Sequence, residues 1–398
     1  MTSSILTLNA GSSSLKFALF DAATLAPTLR GEIADIDTEA RLTARDHSGL
    51  AQDERRWAKQ TPFETILHDL IGFSDAFADP GGLAAVGHRI VHGGPNHVTP
   101  ARVTPRLIDE LEALTLLDPL HLPRSLEPLR IIASSYPALA QVACFDTAFH
   151  HTLPTVARTV PLPAAFAGKT IRRYGFHGLS YEYIARDLAQ TMPALARGRV
   201  IVAHLGSGAS LCALRRGVSI ATTMGFSVLD GLVMSTRCGT IDPGVILYLG
   251  RKGHSFAEIE DLLYRRSGLL GVSGISGDMR VLLASTTHEA KAAIDLFTYR
   301  AAGEIAGLAC ALGGIDGLVF TAGMGQHSPE VRAGICARLE WLGLGLDPVS
   351  NAASARRISP SDSRMEVCVI ATDEEAMIAH HVQEIDGPKA QTPIAAHG

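Results

Sequence analysis

The hydrophobic positions at the start of the chain form two short runs separated by a polar turn. Residues 5–8 are mostly apolar, residues 9–14 are small and mostly polar, and residues 15–20 are apolar again except for Lys16. Two strands joined by a turn of small residues form a β-hairpin. The same pattern recurs at 199–214, around a Gly-Ser-Gly turn. Its repetition after about half the chain predicts two similar α/β halves.

Helix starts later in the chain are marked by capping residues or by proline in the first turn. A short apolar strand at 317–321 leads into a glycine turn at 322–325 and then into one of these helices. This succession presents backbone N–H groups to an anion. The predicted helix starts are Thr104-Pro105 for 106–117, Ser255 with Glu258 for a helix to about Arg266, Thr286 with Glu289 for a helix to Leu312, Ser328-Pro329, and Thr372 for a helix to Ile385.

Composition excludes several classes of protein. With 398 residues, 46% of them hydrophobic, the chain is long enough for about two or three domains and is not disordered. A net charge of −5 provides no electrostatic footprint for nucleic acid or an anionic membrane, so small molecules are the expected partners. The six cysteines contain no C-x-x-C pair. No apolar run reaches the roughly 18 residues that a membrane span needs, and the first residues do not have the pattern of a signal peptide. We therefore expect a cytoplasmic protein.

Three turns rich in glycine or serine are candidates for phosphate binding. They are the turn at 9–14, followed by Lys16, the turn at 206–208, and Gly323-x-Gly325. Hydroxyls and turn amides can face a phosphate, although the first two are equally readable as ordinary hairpin turns. No Walker A motif, G-x-x-x-x-G-K-[ST], occurs. Together the three turns favour the binding of a nucleotide.

Charged residues in apolar segments are the candidates for chemistry. Arg89 and Arg237 each suit either a structural salt bridge or a clamp on an anionic substrate. Asp146 ends an apolar run, which is typical of a catalytic carboxylate but also of a helix cap. His177 lies between an aromatic residue and a glycine, and is either a catalytic or a structural histidine. One carboxylate of 373–375 is a candidate ligand for Mg²⁺, or simply favours a helix N-terminus.

These segments, in this order, resemble the acetate kinase family, also called the short-chain carboxylate kinases. The resemblance covers essentially the whole chain. It implies α/β architecture with two duplicated ribonuclease-H-like, actin-like ATPase domains and a nucleotide cleft between them. The matching segments are LTLNAGSSSLKF, HRIVHGG, FDTAFH, RRYGFHG, VAHLGSGAS, STRCGTIDPG, SGDMR, FTAGMGQHS and TDEEAMIA.

The resemblance also implies an activity and a role for individual residues. The expected reaction is reversible, Mg²⁺-dependent phosphoryl transfer from ATP to acetate, with propionate as an alternative acid, Mn²⁺ as an alternative metal and a homodimer as the assembly. The implied residues are Asp146, Arg89, Arg237, His177 and His121 for catalysis; Arg89, Val91, Leu120, Phe176 and Val228 for the acid; Ser12, Lys16, His204, Gly206, Ser207, Gly208, Asp278, Met279, Arg280, Gly323, Met324 and Gly325 for the nucleotide; and Asn9 and Glu374 for the metal.

The domain boundaries expected from this reading are 1–149 and 150–373, with a helix at about 374–386 that packs back on the first domain. Five positions depart from the residues usual in the family, namely Ser207, Thr240, Gln326, His327 and Asp373. The departures leave open how the nucleotide is bound. Two other readings also stay open at this stage, an actin-like ATPase that has no acid acceptor and a sugar kinase that uses Asp146 as general base.

Overall fold

The computed structural model describes residues 3–11 and 13–386, apart from the side chain of Gln52. Contacts group the chain into two compact units. Unit 1 contains the residues up to Ala148 together with those from Glu374 onward, and unit 2 runs from Phe149 to Asp373. Among the described helices, none combines the length and apolar character that a membrane crossing requires.

Both units contain strands and helices. The strands are β1 (Ser4–Ala10), β2 (Leu15–Asp21), β3 (Pro27–Ala34), β4 (Arg41–Asp46), β5 (Ala51–Arg56), β6 (Leu83–Ile90), β7 (Ala101–Arg102), β8 (Ala140–Phe145), β9 (Arg199–Leu205), β10 (Ala209–Arg215), β11 (Val218–Thr222), β12 (Gly317–Thr321) and β13 (Glu366–Val369). The helices are α1 (Phe63–Ala76), α2 (Pro105–Glu112), α3 (Leu122–Ser135), α4 (Thr155–Arg158), α5 (Ala164–Ala167), α6 (Gly178–Thr191), α7 (Pro193–Ala196), α8 (Pro243–Arg251), α9 (Phe256–Arg265), α10 (Gly268–Ser273), α11 (Met279–Ala284), α12 (His288–Leu312), α13 (Ala322–His327), α14 (Pro329–Ala337), α15 (Pro348–Ala352) and α16 (Glu374–Asp386).

The two sheets share one topology. In unit 1 the strand order is β5-β4-β3-β2-β1-β6-β8-β7, and in unit 2 it is β11-β10-β9-β12-β13. In each sheet three antiparallel strands are followed by two parallel ones, β3-β2-β1-β6-β8 in unit 1 and the whole sheet of unit 2. This shared order confirms the mixed α/β fold class and the predicted repetition, and it is the arrangement of the two-domain actin-like ATPase fold.

Each sheet packs its apolar side chains against helices. In unit 1, α1 buries Ile66, Leu67 and Leu70 against the strands of the antiparallel half. In unit 2, Tyr181 and Ile184 of α6 belong to the core cluster that contains residues of β9, β10 and β12. The removal of these side chains from water drives the association of helix and sheet.

The last helix, α16, packs on the parallel strands of unit 1. A glycine in β6 makes this close approach feasible, because a Cβ on Gly87 would overlap the side chain of Ile378 and lie 2.7 Å from Val382 Cγ2. The packing brings the N-terminus of α16, with Glu374, to the end of β1. Through this packing, Gly87 determines where Glu374 and Glu375, at the start of α16, lie.

The predicted local elements are largely confirmed, with errors at the helix ends. Both hairpins form, strand 317–321 has the predicted bounds, and the Ser255–Glu258 capping box makes both of its hydrogen bonds. The helix predicted over 106–117 instead ends at Glu112 and continues as a 3₁₀ turn at 115–117. The cap of α12 is Thr287 rather than Thr286, because its hydroxyl is the one that accepts from the N–H of Ala290.

Candidate active site

In unit 1 an arginine and an aspartate meet where two parallel strands end. Arg89 is the penultimate residue of β6, and Asp146 follows β8 directly. Arg89 Nε lies 3.1 and 3.0 Å from the two oxygens of Asp146, and Nη2 lies 2.5 Å from Oδ2. The Asp146 side chain is fully buried, whereas that of Arg89 is 19% exposed. The structure thus contains the salt bridge that the sequence left as one alternative, and the carboxylate orients the guanidinium.

Asn9 connects this pair to α16. Its Oδ1 accepts a hydrogen bond of 3.1 Å from Arg89 Nη1, and its Nδ2 donates to Glu374 Oε2 at 2.9 Å and to Glu375 Oε1 at 3.3 Å. Burial disfavours the charged guanidinium, but the negative charges of Asp146 and Glu374 outweigh it and raise the pKa of Arg89 above its ordinary value. Arg89 therefore carries its positive charge at every physiological pH.

The acidic end of this cluster offers oxygen ligands of the kind that Mg²⁺ takes. Among the described residues no group of three His, Cys, Asp or Glu side chains has the arrangement of a self-contained metal site. Mg²⁺ usually binds through one or two carboxylates plus water and substrate phosphates, so a three-ligand protein cage is not required. Glu374 and Glu375 at the start of α16 fit that donor set, with Asn9 beside them.

His121 lies directly before α3 and has an acidic partner. Its Nδ1 is 2.9 Å from Asp118 Oδ1, and its backbone N–H donates to the same oxygen at 3.3 Å. The Asp118 side chain is buried, whereas His121 is partly exposed. The sequence analysis did not identify Asp118. The spacing Asp-x-x-His ahead of a helix was the available signal, since it places both side chains on one turn.

In unit 2 two histidines stack beside the glycine turn. His204 lies near the end of β9, and His177 precedes α6 in the left-handed backbone region, at φ 59° and ψ 27°. Their ring centroids are 4.2 Å apart and the ring planes differ by 13°. Left-handed backbone is costly for a residue with a side chain, and it is common at functional sites. The structure therefore brings together two of the predicted phosphate-binding histidines.

Hydroxyl groups behind the stack hold both rings. His177 Nδ1 lies 2.8 Å from Ser210 Oγ, which in turn lies 2.5 Å from the hydroxyl of Tyr181. His204 Nδ1 lies 2.8 Å from Ser180 Oγ. None of these three hydroxyl residues was singled out in the sequence, because their partners are distant in the chain or belong to another element.

Arg237 lies beside the same turn. A Cβ placed on Gly208 would be 3.3 Å from His177 Nε2 and 3.5 Å from Arg237 Nη2, so both polar groups face this glycine. The guanidinium also donates from Nη1 to the Val228 carbonyl at 2.9 Å. His177, Arg237 and the turn 206–208 therefore form one cluster within unit 2.

A buried histidine supports this cluster from behind. His150 Nε2 lies 3.0 Å from the carbonyl oxygen of Phe176, and its Nδ1 lies 2.8 Å from Ser219 Oγ. Burial lowers the pKa of His150 to about 4, so the ring is neutral at pH 7. Gly175, at φ 79°, has no room for a side chain because a Cβ would lie 2.5 Å from the His150 ring. His150 thus fixes the loop that carries His177.

The residues predicted to bind adenosine lie at the starts of two helices in unit 2. Asp278 caps α11 through the N–H of Arg280 and forms an exposed ion pair with its guanidinium, Nη2 to Oδ2 being 2.6 Å. Met279 between them is buried. Gly323 lies in the first turn of α13, and a Cβ there would contact nothing within 4 Å. Their contact with a nucleotide stays a prediction.

The remaining predicted residues are divided between the units. Val91 and Phe176, on the predicted acid wall, are buried in units 1 and 2 respectively, Val228 is buried in unit 2, and Leu120 in unit 1 is half-buried. Lys16 is exposed on β2, directly opposite Asn9 of β1. Ser12 and the segment from 387 onward are outside the described residues.

Comparison with known proteins identifies the family of this chain. The acetokinase family profile matches residues 4–380. The acetate kinase of Rhodopseudomonas palustris strain TIE-1 is 50% identical over 391 residues, covering 96% of this chain and 98% of that protein. The acetate kinase of Nitrobacter hamburgensis is 49% identical over 395 residues, with 95% of each chain covered.

Solved structures agree with the sequence relatives. A propionate kinase from Francisella tularensis has a TM-score of 0.88 at 35% identity and covers 95% of this chain and 98% of that one. The acetate kinase of Porphyromonas gingivalis has a TM-score of 0.85 at 32% identity, with 96% and 99% covered. Profile, sequence relatives and structures agree over nearly the whole length, and the chain belongs to the acetate kinase (acetokinase) family.

Proposed function

We propose that this protein is an acetate kinase, which transfers the terminal phosphoryl group of ATP to acetate and forms acetyl phosphate and ADP reversibly. The observation that carries the proposal is the forked pair of Arg89 and Asp146, joined through Asn9 to Glu374. It occurs in a family whose members use ATP and a carboxylate. A buried arginine fork of this kind suits a carboxylate or a transferring phosphoryl group.

Phosphoryl transfer to a carboxylate does not require a general base. A carboxylic acid with a pKa near that of Glu, ~4.3, is already ionised at pH 7 and needs no deprotonation. Both oxygens of Asp146 accept hydrogen bonds from Arg89, so its role is to orient the arginine. A sugar kinase would need a base for a neutral hydroxyl. The engagement of Asp146 with Arg89 supports the carboxylate kinase over the sugar kinase.

Each unit supplies groups for the reaction. In phosphoryl transfer, negative charge spreads over three equatorial oxygens and is stabilised by positioned cations and hydrogen-bond donors. We assign Arg89 to the acid and the phosphoryl group, and Arg237 and His177 to the phosphoryl group. The convergence of Arg237 and His177 on Gly208 supports this role. His204 and the turn 206–208 bind the nucleotide phosphates, and His121 assists catalysis.

Mg²⁺ is the metal we propose, with Mn²⁺ as an alternative, held by Glu374 and Asn9. When bound it neutralises charge on the transferring phosphates. The residues of this chain do the positioning: Asn9 Nδ2 holds the Glu374 carboxylate at 2.9 Å while Asn9 Oδ1 accepts from Arg89. Asn9 thereby links an acidic and a basic side chain through its amide group.

The remaining assignments concern the acid, the nucleotide and the domains. We propose acetate as the main acid and propionate as the next, since one methylene in an apolar pocket changes selectivity by only ~1 to 3 kcal/mol. Residues 278–280 and 323–325 are assigned to adenosine, and the two ribonuclease-H-like domains to 1–149 and 150–373, with α16 added to the first. We propose that the protein is located in the cytoplasm, because its proposed co-substrate ATP is present there. We assign Val91, Leu120, Phe176 and Val228 to the acid, and Ser12 and Lys16 to the nucleotide.

A homodimer is the proposed assembly, and an exposed apolar helix supports it. None of the residues of α8 is buried, although the helix reads PGVILYLGR. Leu247 and Tyr248 are 59% and 57% exposed, and Phe256 at the start of α9 is 90% exposed. Contiguous exposed apolar surface marks interaction sites. Leu247→Glu with Tyr248→Glu should convert the dimer to a monomer in light scattering, whereas Leu116→Glu in unit 1, also at an exposed leucine, should not.

The deciding experiment is acyl phosphate formation, trapped as hydroxamate, with MgATP and formate, acetate, propionate, butyrate or a sugar. We expect the largest rate with acetate, followed by propionate. ATP hydrolysis without product from any acid would contradict the proposal and favour an actin-like ATPase. ADP formation that depends on the sugar, without hydroxamate from any acid, would instead indicate a sugar kinase, because a sugar phosphate ester does not form a hydroxamate. Omission of Mg²⁺ should abolish product.

A further inference from the structure

Behind His177 lies a short chain of buried hydroxyl groups. Ser210 Oγ lies between His177 Nδ1, at 2.8 Å, and the hydroxyl of Tyr181, at 2.5 Å. Ser210 and Tyr181 are both completely buried. Burial also raises the pKa of Tyr181 well above its ordinary value, so the phenol keeps its hydrogen. The three groups share two hydroxyl hydrogens, whose directions determine what the imidazole does.

Only one set of directions satisfies every hydrogen. In the described part of the chain Ser210 Oγ is the acceptor within reach of the Tyr181 hydroxyl. If Tyr181 donates to Ser210, the hydrogen of Ser210 is directed to His177 Nδ1, which must then accept. If His177 donated from Nδ1 instead, a hydroxyl hydrogen of Ser210 or Tyr181 would be buried without an acceptor. Such groups are costly and rare in folded proteins.

We infer that Tyr181 and Ser210 hold His177 as the neutral tautomer that carries its hydrogen on Nε2. The inference deepens the proposed function and rests on it for the role of His177. Tyr181 and Ser210 are positioning residues, because they act through the imidazole. The Nε2 atom is the one that faces Gly208, on the same side as the guanidinium of Arg237. The relay therefore aims a donor at the phosphate turn.

The tautomer decides whether the ring assists the reaction. A hydrogen on Nε2 donates to a negatively charged phosphoryl oxygen, whereas the other tautomer presents a lone pair to that oxygen and repels it. The identity of the protonated nitrogen is commonly set by the hydrogen bond that the other nitrogen makes. The stack on His204, with ring centroids 4.2 Å apart, keeps the plane of the ring fixed. Backbone strain at His177 is consistent with a ring held from several sides.

The direct test is the nitrogen spectrum of the histidine side chains in the full-length protein labelled with ¹⁵N-histidine. The His177 signals are assigned by their loss in His177→Gln. We expect a protonated Nε2 and an unprotonated Nδ1, and a mixture of tautomers in Ser210→Ala. Tyr174→Phe is the matched control, since it removes another largely buried phenol, bonded to Thr170 O at 2.7 Å, and should leave the spectrum unchanged. A hydrogen on Nδ1 in the unmodified protein overturns the inference.

Kinetics separate positioning from folding. We expect Ser210→Ala to lower kcat for acyl phosphate formation by about 10- to 100-fold, as is typical of groups that orient a ligand-binding histidine, with KM for ATP changed by less than about threefold. Tyr181→Phe should lower kcat less than Ser210→Ala does, because Ser210 can still donate to His177. Ser210→Thr keeps a hydroxyl group and should therefore have a kcat close to that of the unmodified protein. Equal loss in Ser210→Thr and Ser210→Ala at unchanged thermal stability would overturn the relay. If the unmodified protein forms no acyl phosphate, the proposed function fails while the nitrogen spectrum still decides the tautomer.

Discussion

Arg89 and Asp146 form a forked ion pair whose geometry is repeated on the surface by Arg199 and Asp316. In the first pair Nη2 lies 2.5 Å from Asp146 Oδ2 and Nε lies 3.1 Å from Oδ1. In the second pair Nη2 lies 2.6 Å from Asp316 Oδ1 and Nε lies 3.0 Å from Oδ2. The Asp146 side chain is completely buried, whereas that of Asp316 is 40% exposed. The same fork therefore occurs once in the candidate site and again at an exposed position.

Because only Arg89 lies in the candidate site, we expect substitution of Arg89 to lower activity and substitution of Arg199 to leave it unchanged. Arg89→Ala should lower kcat by about 10³- to 10⁵-fold, the range for an arginine that stabilises a transferring phosphoryl group. It should change the affinity for ATP far less, because the arginine acts on the acid and the moving group. The measurements are the hydroxamate assay and calorimetric titration with ATP. Arg199→Ala, the control, should leave kcat within about twofold and change stability little, because exposed ion pairs contribute little. Equal loss of ATP affinity and turnover in Arg89→Ala would show that the pair is structural.

The closeness of α16 to β6 predicts that Gly87→Ala impairs both folding and the site. The added methyl would overlap Ile378, so helix and strand must separate. Overpacking of this kind typically costs ~1 to 3 kcal/mol. Because α16 carries Glu374, the same displacement should raise the Mg²⁺ concentration needed for half-maximal activity. Denaturant unfolding and a Mg²⁺ titration measure the two effects.

Gly303 provides the matched control for that substitution. It lies within α12, and a Cβ there would meet no atom within 4 Å. Gly303→Ala should therefore stabilise the protein by ~0.5 to 1 kcal/mol, since glycine in a helix interior is unfavourable. The Mg²⁺ titration should be unaltered. A Gly87→Ala variant as stable as Gly303→Ala would contradict the packing of α16 on this strand.

The elements that the sequence predicted well are those with local causes. The hairpin β1–β2, strand β12 and the capping box at Ser255 each depend on residues within about ten positions of one another. The helix ends were predicted less well. Thr286 with Glu289 matches the capping-box pattern, but in the structure the neighbouring Thr287 is the residue whose hydroxyl accepts the hydrogen bond. Strands β3 to β5 mix polar and apolar residues, and were not among the elements predicted from the sequence.

The sequence predicted which residues belong to the candidate site, but not the contacts that they make with one another. Asn9 and Glu374 are 365 positions apart, and no local pattern indicates that they form a hydrogen bond. The resemblance to the family identified both residues but did not reveal how they are joined to Arg89. Asp118, Ser210 and Tyr181 were missed, because supporting side chains are ordinary polar or aromatic residues until the fold places them beside a histidine.

Two buried histidines predict a loss of stability in mild acid. Burial lowers the pKa of both His88 and His150 from 6.5 to about 4. Between these values the unfolded chain binds the protons and the folded chain does not, so stability falls as pH decreases through this window and is fully present above about pH 6.5. Each ring adds at most about 3 to 4 kcal/mol to this loss of stability, at ~1.4 kcal/mol per pKa unit. Denaturant unfolding at a series of pH values measures the slope.

Substitution of one ring should reduce that slope. His150→Gln keeps a donor for the Phe176 carbonyl and removes the titration, so the change in stability between pH 7 and 4.5 should shrink by about half of the two-histidine effect. His254 is exposed and serves as control, since His254→Gln should leave the slope as it is. An unchanged slope in His150→Gln would show that the ring takes up its proton without unfolding.

Arg332 predicts a link between stability and nucleotide binding. It is completely buried in α14, and its guanidinium donates to the carbonyls of Gly325 and Gln326, both at 2.8 Å, and to Asn351 Oδ1 at 2.8 Å. Its removal leaves these acceptors buried without donors, at ~1 to 3 kcal/mol each. Arg332→Met should therefore lower the free energy of unfolding by about 3 kcal/mol or more.

The nucleotide loop should respond to the same substitution. Gly325 ends the segment assigned to adenosine and Gln326 follows it directly, so Arg332→Met should raise KM for ATP about tenfold, equivalent to ~1.4 kcal/mol, with kcat lowered less. Arg338 follows the same helix and is partly exposed, with its guanidinium 3.6 Å from Asp295. Arg338→Met should leave KM within about twofold. If Arg332→Met lowers stability while KM for ATP stays constant, the residues it anchors do not contact the nucleotide.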